Sequence, residues 1–266
     1  MAINTILDPV LSPLLPLGAF WTIFIICLVM SLITTIIYKY TTNQEKLKEI
    51  KADMKRLQKK ATAYSKEGKS DKAMALQKDI MKMNMEFMKS SFRSTLFTFI
   101  PILLFFGWLG VNLAFAPLMP MADFNVTLVA QDDLSISSSF TLLLPQELST
   151  TDVLTKNLSE NNLVVWSGIS GPAGNYFLNF IHNESKEEYS VPIIITSNQE
   201  YEGPIFTNQI STIYKEVRVG HDKLIILKGV PFFEHFPIIK NWGWFGIYFL
   251  FAIGFSIALK KILKIV

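Results

Sequence analysis

Residues 17–38 read LGAFWTIFIICLVMSLITTIIY, a run without one charged side chain. A helix needs about 20 mostly apolar residues to cross the hydrocarbon of a bilayer. A helix of that length in a soluble core would carry a charged face, and this one has none. The charge-free stretch extends backward to residue 9, and two more follow at 94–122 and 241–259. Half of the 266 residues are apolar, 18% are charged, and phenylalanine alone contributes 21. The pattern predicts transmembrane helices at 17–38, 94–119 and 238–260. Trp21, Tyr38 and Tyr40 flank the first and Trp242, Trp244 and Tyr248 open the third, where amphipathic rings favour the headgroup level.

Charge sets the expected orientation. Residues 39–93 hold fifteen Lys and Arg against seven Asp and Glu, while 121–235 hold six against fourteen. The whole-chain charge of +3 therefore hides loops of +8 and −8. Lys and Arg are retained in the cytoplasm, so 39–93 is expected inside and 120–237 outside. The N-terminal segment 1–16 then lies outside, as an irregular or briefly helical lead-in broken by Pro9, Pro13 and Pro16, and the tail 261–266 is cytoplasmic. Nothing basic precedes the first span, so the n-region of a cleaved signal peptide is missing. Asn125, Asn157 and Asn183 each open an Asn-x-Ser/Thr triplet in the acidic loop, which suits an outer location. Cys27, the sole cysteine, lies mid-span as a small buried apolar residue.

The basic loop has its own periodicity. Leu47, Ile50, Met54, Leu57, Ala61 and Tyr64 step by three and four, and Ala73, Leu76, Ile80, Met83 and Phe87 repeat the pattern. Apolar seams of this kind between charged residues mark a coiled coil. Gly68 suits a helix C-cap and Ser70 the next N-cap, so the two arms are antiparallel. Lysines crowd the exposed faces, among them Lys51, Lys55, Lys59 and Lys60 beside Arg56. Two readings stand: a solvated arm, or docking on a polyanion such as ribosomal RNA or anionic headgroups. Met81, Met85 and Met88 share a face apart from the seam, fit either for contact with varied apolar partners or as filler near the membrane.

One face of each span is polar near the basic loop. Ser31, Thr34, Thr35 and Tyr38 fall at i, i+3, i+4 and i+7; Ser91, Ser94, Thr95 and Thr98 follow suit, and Ser256 sits at the same depth of the third span. They either line a wet cavity or bond to their own and neighbouring helices. Pro101, with Gly107 and Gly110, can kink the second span. The acidic loop reads as a β domain with strands at 124–130, 134–144, 163–167, 176–182, 189–197, 210–218 and 223–229, a count that suggests a sandwich. His182, His221 and His235 lack metal spacing, and no Gly-rich phosphate loop, HExxH or GxSxG occurs. The reading is of a protein that is not an enzyme, needs no cofactor and does not bind DNA.

Taken together, the expectation is an α-helical membrane protein with three transmembrane helices, a cytoplasmic antiparallel coiled-coil hairpin and an extracytoplasmic β-sandwich-like domain. This arrangement of span, lysine-rich hairpin, span and final span resembles the YidC/Oxa insertase superfamily, and within it the archaeal YidC-like branch. The resemblance covers 1–120 and 237–266. It implies a multi-pass plasma-membrane insertase or chaperone that takes nascent membrane proteins from the ribosome, alongside other translocation machinery. Ser31, Thr34, Thr35, Tyr38, Ser94, Thr95, Thr98 and Ser256 match the family's substrate groove. Bacterial members carry an arginine deep in that groove; here positive charge is confined to Lys39, Arg93 and Lys260 at its rim. The same resemblance gives Met81, Met85 and Met88 to client contact and Lys51, Lys55, Arg56, Lys59 and Lys60 to ribosome docking. The alternative is an adhesion or receptor protein whose outer domain is anchored by the three helices.

Overall fold

The computed structural model describes residues 2–208, 211–230, 233 and 235–265; the side chains of 2–6 and of Arg93 lie outside the described set. The chain forms two compact units. One comprises Met1–Asn4, Trp21–Gly107 and Phe245–Val266, and the other Thr5–Phe20 and Trp108–Trp244.

Among the described residues, the helices are α1 (Ala2–Leu11), α2 (Ala19–Thr41), α3 (Gln44–Lys66), α4 (Ser70–Asn112) and α5 (Trp244–Ile262). Helix α2, the Ser94–Asn112 portion of α4, and α5 are long and apolar enough to cross a membrane. Their outward residues are bare hydrocarbon, such as Leu32, Leu96, Phe99, Phe249 and Ile253. Apolar exposure on that scale marks a lipid or partner surface. The lead-in is more regular than its prolines suggest. Pro9 is accommodated inside α1, and Pro13 falls in the first positions of a 3-10 turn, Ser12–Leu17, that Gly18 ends at φ +89°.

Helices α3 and α4 form a hairpin. Asn43 caps α3 by accepting the Lys46 N–H at 3.0 Å, which satisfies an orphan donor of the first turn. At the far end Gly68 sits at φ +74°, with Lys69 N–H on Tyr64 O (2.9 Å) and Gly68 N–H on Ser65 O (3.2 Å). This pair of bonds is the Schellman closure that a left-handed C′ glycine allows. Ser70 is the first helical residue and not the cap; the carbonyl that accepts the first helical bond, from Ala73, is that of Lys69. Along the arms Leu47, Ile50, Ala61 and Ile80 are buried, and Met54, Leu57, Tyr64, Ala73, Leu76, Met83 and Phe87 are half-buried. The arm α4 continues into the membrane segment as one 43-residue helix that runs through Pro101 without interruption.

In the second unit a five-stranded sheet in the order β3-β5-β1-β9-β8 faces a four-stranded sheet in the order β4-β2-β6-β7. The strands are β1 (Phe124–Ala130), β2 (Ser139–Leu143), β3 (Ser149–Thr150), β4 (Thr155–Asn157), β5 (Leu163–Ser170), β6 (Gly174–His182), β7 (Glu188–Ile195), β8 (Ile205–Thr207) and β9 (Tyr214–Val219). All ladders are antiparallel. One apolar core joins the sheets, with Trp166, Phe140, Phe180 and Tyr214 fully enclosed. The Tyr214 hydroxyl crosses between them, 3.0 Å from Phe180 O and 2.8 Å from Glu187 O. Residues 223–229 are not a strand: Lys223 bridges Phe115, 224–225 are irregular and 226–229 form a turn, with Ile226 and Leu227 buried. The expected strand 210–218 begins at Tyr214, and residue 210 lies outside the described residues.

Both later spans are shorter than their apolar stretches. The second ends at Asn112 rather than 119 because the β domain takes over the backbone of 113–118. Gln199 Nε2 donates to Asn112 O (3.0 Å) and Phe115 O (2.9 Å), and the Tyr201 hydroxyl accepts the N–H groups of Ala114 and Phe115. Thr196 N–H binds Leu118 O, Ala116 N–H binds Asp222 O, and His221 Nδ1 lies 2.9 Å from Ala116 O. Helix α5 starts at Trp244 rather than 238, after a run of turns over 237–241.

Candidate functional site

The three apolar helices pack unequally along their length. Away from the hairpin the packing is dry and aromatic: Phe24 meets Phe251 and Phe255 with centroids 5.5 and 5.1 Å apart, and Phe106 meets Tyr248 at 4.8 Å. Ile23, Ile26, Cys27 and Ile247 are almost fully enclosed, and the Cys27 thiol lies 3.7 Å from Tyr248 O.

Near the hairpin the same helices part around a cavity of about 170 Å³. Its lining is Thr34, Thr35 and Tyr38 from α2, Ser94, Thr95 and Thr98 from α4, and Ser256 and Lys260 from α5. At about 30 Å³ per molecule this is room for a handful of waters. Seven of the eight expected groove residues thus share one space. The eighth, Ser31, stands behind the wall; it is buried, and its carbonyl accepts the hydroxyls of Thr34 and Thr35 at 3.1 and 2.6 Å. Thr34 also reaches Met30 O at 2.9 Å, Thr98 reaches Thr95 O at 3.0 Å and Thr95 reaches Ser91 O at 3.3 Å. These bonds stay within one helix, and among the described residues none of these threonines ties neighbouring helices together. The Ser94 hydroxyl is buried against the cavity with no hydrogen-bond partner.

Of the rim cations, Lys260 enters the lining and holds its ammonium 5.0 Å from the centre of the Tyr38 ring, a cation–π distance. Lys39 is exposed and outside the lining, and the Arg93 side chain lies outside the described residues. On the hairpin, Lys51, Lys55, Arg56, Lys59 and Lys60 are all exposed, with Arg56 held by Asp53 at 2.9 Å. Met81, Met85 and Met88 are 61, 55 and 69% exposed, and Phe92 extends their face at 62%. Phe92 was not singled out in the sequence; its i+4 spacing from Met88 is the signal that would have found it.

The second unit holds a larger cavity, about 660 Å³, bordered by Asp8, Asn112, Ser197, Asn198 and Glu200 among others. Asp8 accepts the indole N–H of Trp108 there at 2.8 Å. The three histidines stay apart. His182 lies against Ser185 and Glu184, His221 against Ala116, and His235 is exposed. Burial holds His221 below the ordinary imidazole range, against the opposing effects of its Ala116 bond and of Asp222.

Residues 4–143 match the family model described as integral membrane protein EMC3/TMCO1-like. That span takes in α1 to α4, the hairpin and the first two strands. No curated protein and no solved structure matches the chain.

Proposed function

The chain belongs to the EMC3/TMCO1-like family of integral membrane proteins, within the YidC/Oxa1/Alb3/EMC3 insertase-related superfamily, and from this premise we propose that it inserts client segments into the bilayer. The family points to membrane-protein insertion and biogenesis. The finer reading is an archaeal YidC-like insertase of the plasma membrane, with its N-terminus outside and its hairpin and C-terminus in the cytoplasm. The coiled-coil hairpin docks on the ribosome through Lys51, Lys55, Arg56, Lys59 and Lys60, and Met81, Met85 and Met88 receive the emerging apolar segment.

One observation carries this reading: polar side chains from all three apolar helices line a single cavity at the hairpin end, over a dry aromatic seal. Charged groups at a bilayer centre cost several kcal/mol. A wet half-channel shortens the apolar path that a polar client residue must cross, and no covalent step or nucleotide is needed.

The test is Thr34→Leu combined with Thr98→Leu. Loss of insertion confined to clients with charged translocated tails, in a normally folded protein, is the expected result. A uniform loss that tracks protein abundance would overturn the groove. Hydrogen bonds between membrane helices average only about 0.6 kcal/mol, so a purely packing role predicts a small defect shared by all clients.

A second reading, an extracytoplasmic receptor or adhesion domain anchored by the helices, is favoured by the 660 Å³ cavity of the second unit. It requires that insertion survive closure of the groove.

A further inference from the structure

The three Asn-x-Ser/Thr triplets of the β domain are held in different ways. Asn125 lies on β1, exposed, and its side chain makes no hydrogen bond among the described residues. The ladder to β5 pairs Phe124 with Ile169 and Val126 with Trp166, so Ser167 and Gly168 together stand opposite Asn125. Gly168 is at φ +65°, the left-handed glycine of a β-bulge. On the other flank Gly220 donates its N–H to Asn125 O at 2.8 Å. Asn157 closes β4, the outermost strand of the four-stranded sheet. It too is exposed, with no side-chain hydrogen bond among the described residues, and Leu158, 3% exposed, anchors the chain immediately after it. The Ser159 hydroxyl accepts the Leu163 N–H at 3.1 Å and keeps its own proton. Asn183 is the exception. Its half-buried carboxamide is held at both ends, Nδ2 donating to Ser139 Oγ and Oδ1 accepting from Thr141 Oγ1, each at 2.9 Å. The Ser185 hydroxyl of the same triplet lies 2.8 Å from Nδ1 of the buried His182.

We propose that the β domain carries N-linked oligosaccharide at Asn125 and Asn157 and is bare at Asn183. The co-reactant is an oligosaccharide linked to a polyprenyl phosphate. A bond forms between the asparagine Nδ2 and the anomeric carbon, and the bond from that carbon to the phosphate oxygen breaks. The lipid phosphate leaves with the electron pair, and one amide proton passes to a base of the transferase. The triplet is the acceptor signature for that transfer on extracytoplasmic surface. A bulky, hydrated substituent is tolerated where the side chain already stands in solvent. At Asn183 it would displace the carboxamide from Ser139 and Thr141, so a chain modified there loses the contacts that hold the end of β6 on β2. The Asn157 sugar has a second effect. β4 is an edge strand, and unpaired edges invite pairing with other chains; a glycan at its end blocks that approach. The proposal rests on the extracytoplasmic placement of the domain and is independent of whether the groove inserts clients.

The experiment takes the full-length protein from the membranes of its own organism and reads each site by glycopeptide mass spectrometry. Asn125 and Asn157 should each carry a sugar and Asn183 none. On gels, Asn125→Gln and Asn157→Gln should each increase mobility by one step and the double variant by two, while Asn183→Gln should run as the wild type. Thr127→Ala should remove the Asn125 sugar with the asparagine untouched, and Thr127→Ser should keep it. Unmodified Asn125 or Asn157 in the wild type, or a sugar on Asn183, would overturn the proposal. A sugar on Asn125 that survives Thr127→Ala would do the same, because the triplet would then not direct it. The wild-type peptides give the answer even where a variant does not fold. Client insertion is measured separately, so absence of the sugars and failure of the groove are distinguishable.

Discussion

Lys46 and Glu86, far apart in the chain, hold their charged atoms 2.7 Å apart across the base of the hairpin. The contact matches the antiparallel register of α3 on α4, but both side chains are about half exposed. Exposed pairs of this kind contribute about 0.2–1 kcal/mol, so the register is held mainly by the buried seam beside it. Leu47 and Ile50 supply that seam. Leu47→Ala should cost about 2–5 kcal/mol of hairpin stability, and Lys46→Ala less than about 1 kcal/mol. Denaturant melts of the purified protein, followed by hydrogen exchange over 44–90, would check the ranking. A Lys46 variant as damaging as the Leu47 variant would contradict it.

The arm lysines give a second outcome. Lys51, Lys55, Lys59 and Lys60 are exposed and show no ion pair among the described residues. Replacing all four with Glu should abolish ribosome binding, and wild-type affinity should fall steeply between low and physiological salt because phosphate contacts release counterions. Co-sedimentation with ribosomes at several salt concentrations measures both. Binding indifferent to salt and to the replacements would leave the arm as a spacer.

Orientation is tested by labelling. Lys60 and Gly203 are exposed, and a Cβ at Gly203 meets nothing closer than Ile205 O at 3.9 Å. Cys27 is buried and silent. Lys60→Cys and Gly203→Cys should therefore react from opposite sides of the membrane, Gly203→Cys from outside intact cells. Labelling of both from outside would overturn the orientation drawn from the +8 and −8 loops.

Acid should loosen the junction between α4 and the β domain. Burial lowers the His221 pKa in the folded protein, so the folded imidazole stays neutral while the unfolded one takes a proton near pH 6.5. The unfolded state then binds more protons, and stability falls as pH drops through about 6.5 toward the lowered folded value. Protection factors of the amides at 114–116 should decrease from pH 7.5 to pH 5.5, and His221→Gln should flatten the change. A decrease that persists in the variant would place the titration elsewhere.

Local patterns reached the sequence reader well, and long-range ones did not. The hairpin seam repeats over eleven positions, and the residues that line the cavity recur at helical spacing, so both sets are legible as periodicity, with Ser31 on the same helical face but outside the lining. The end of α4 was hidden, because residues 113–119 read as apolar as those before them. What stops the helix is Gln199 and Tyr201, whose side chains reach back more than eighty residues to its last carbonyl and the N–H groups beyond. Strands β3, β4 and β8 span two or three residues, too few for alternation to register. Residues 223–229 have the composition of a strand but bury Ile226 and Leu227 from a turn.

Helix α4 has no joint where the arm meets the bilayer. At about 1.5 Å per residue its 43 residues make a rod of roughly 65 Å, and Ser94, Thr95 and Thr98 are set partway along it. A rod without a hinge behaves as a lever. Any tilt imposed at the Gly68 tip, by a docked particle or a pulling chain, passes as a rotation to the cavity wall instead of dissipating in a flexible neck. Opening and closing of the cavity would then be a mechanical response to load on the arm, and a glycine pair inserted near Phe92 would uncouple the two.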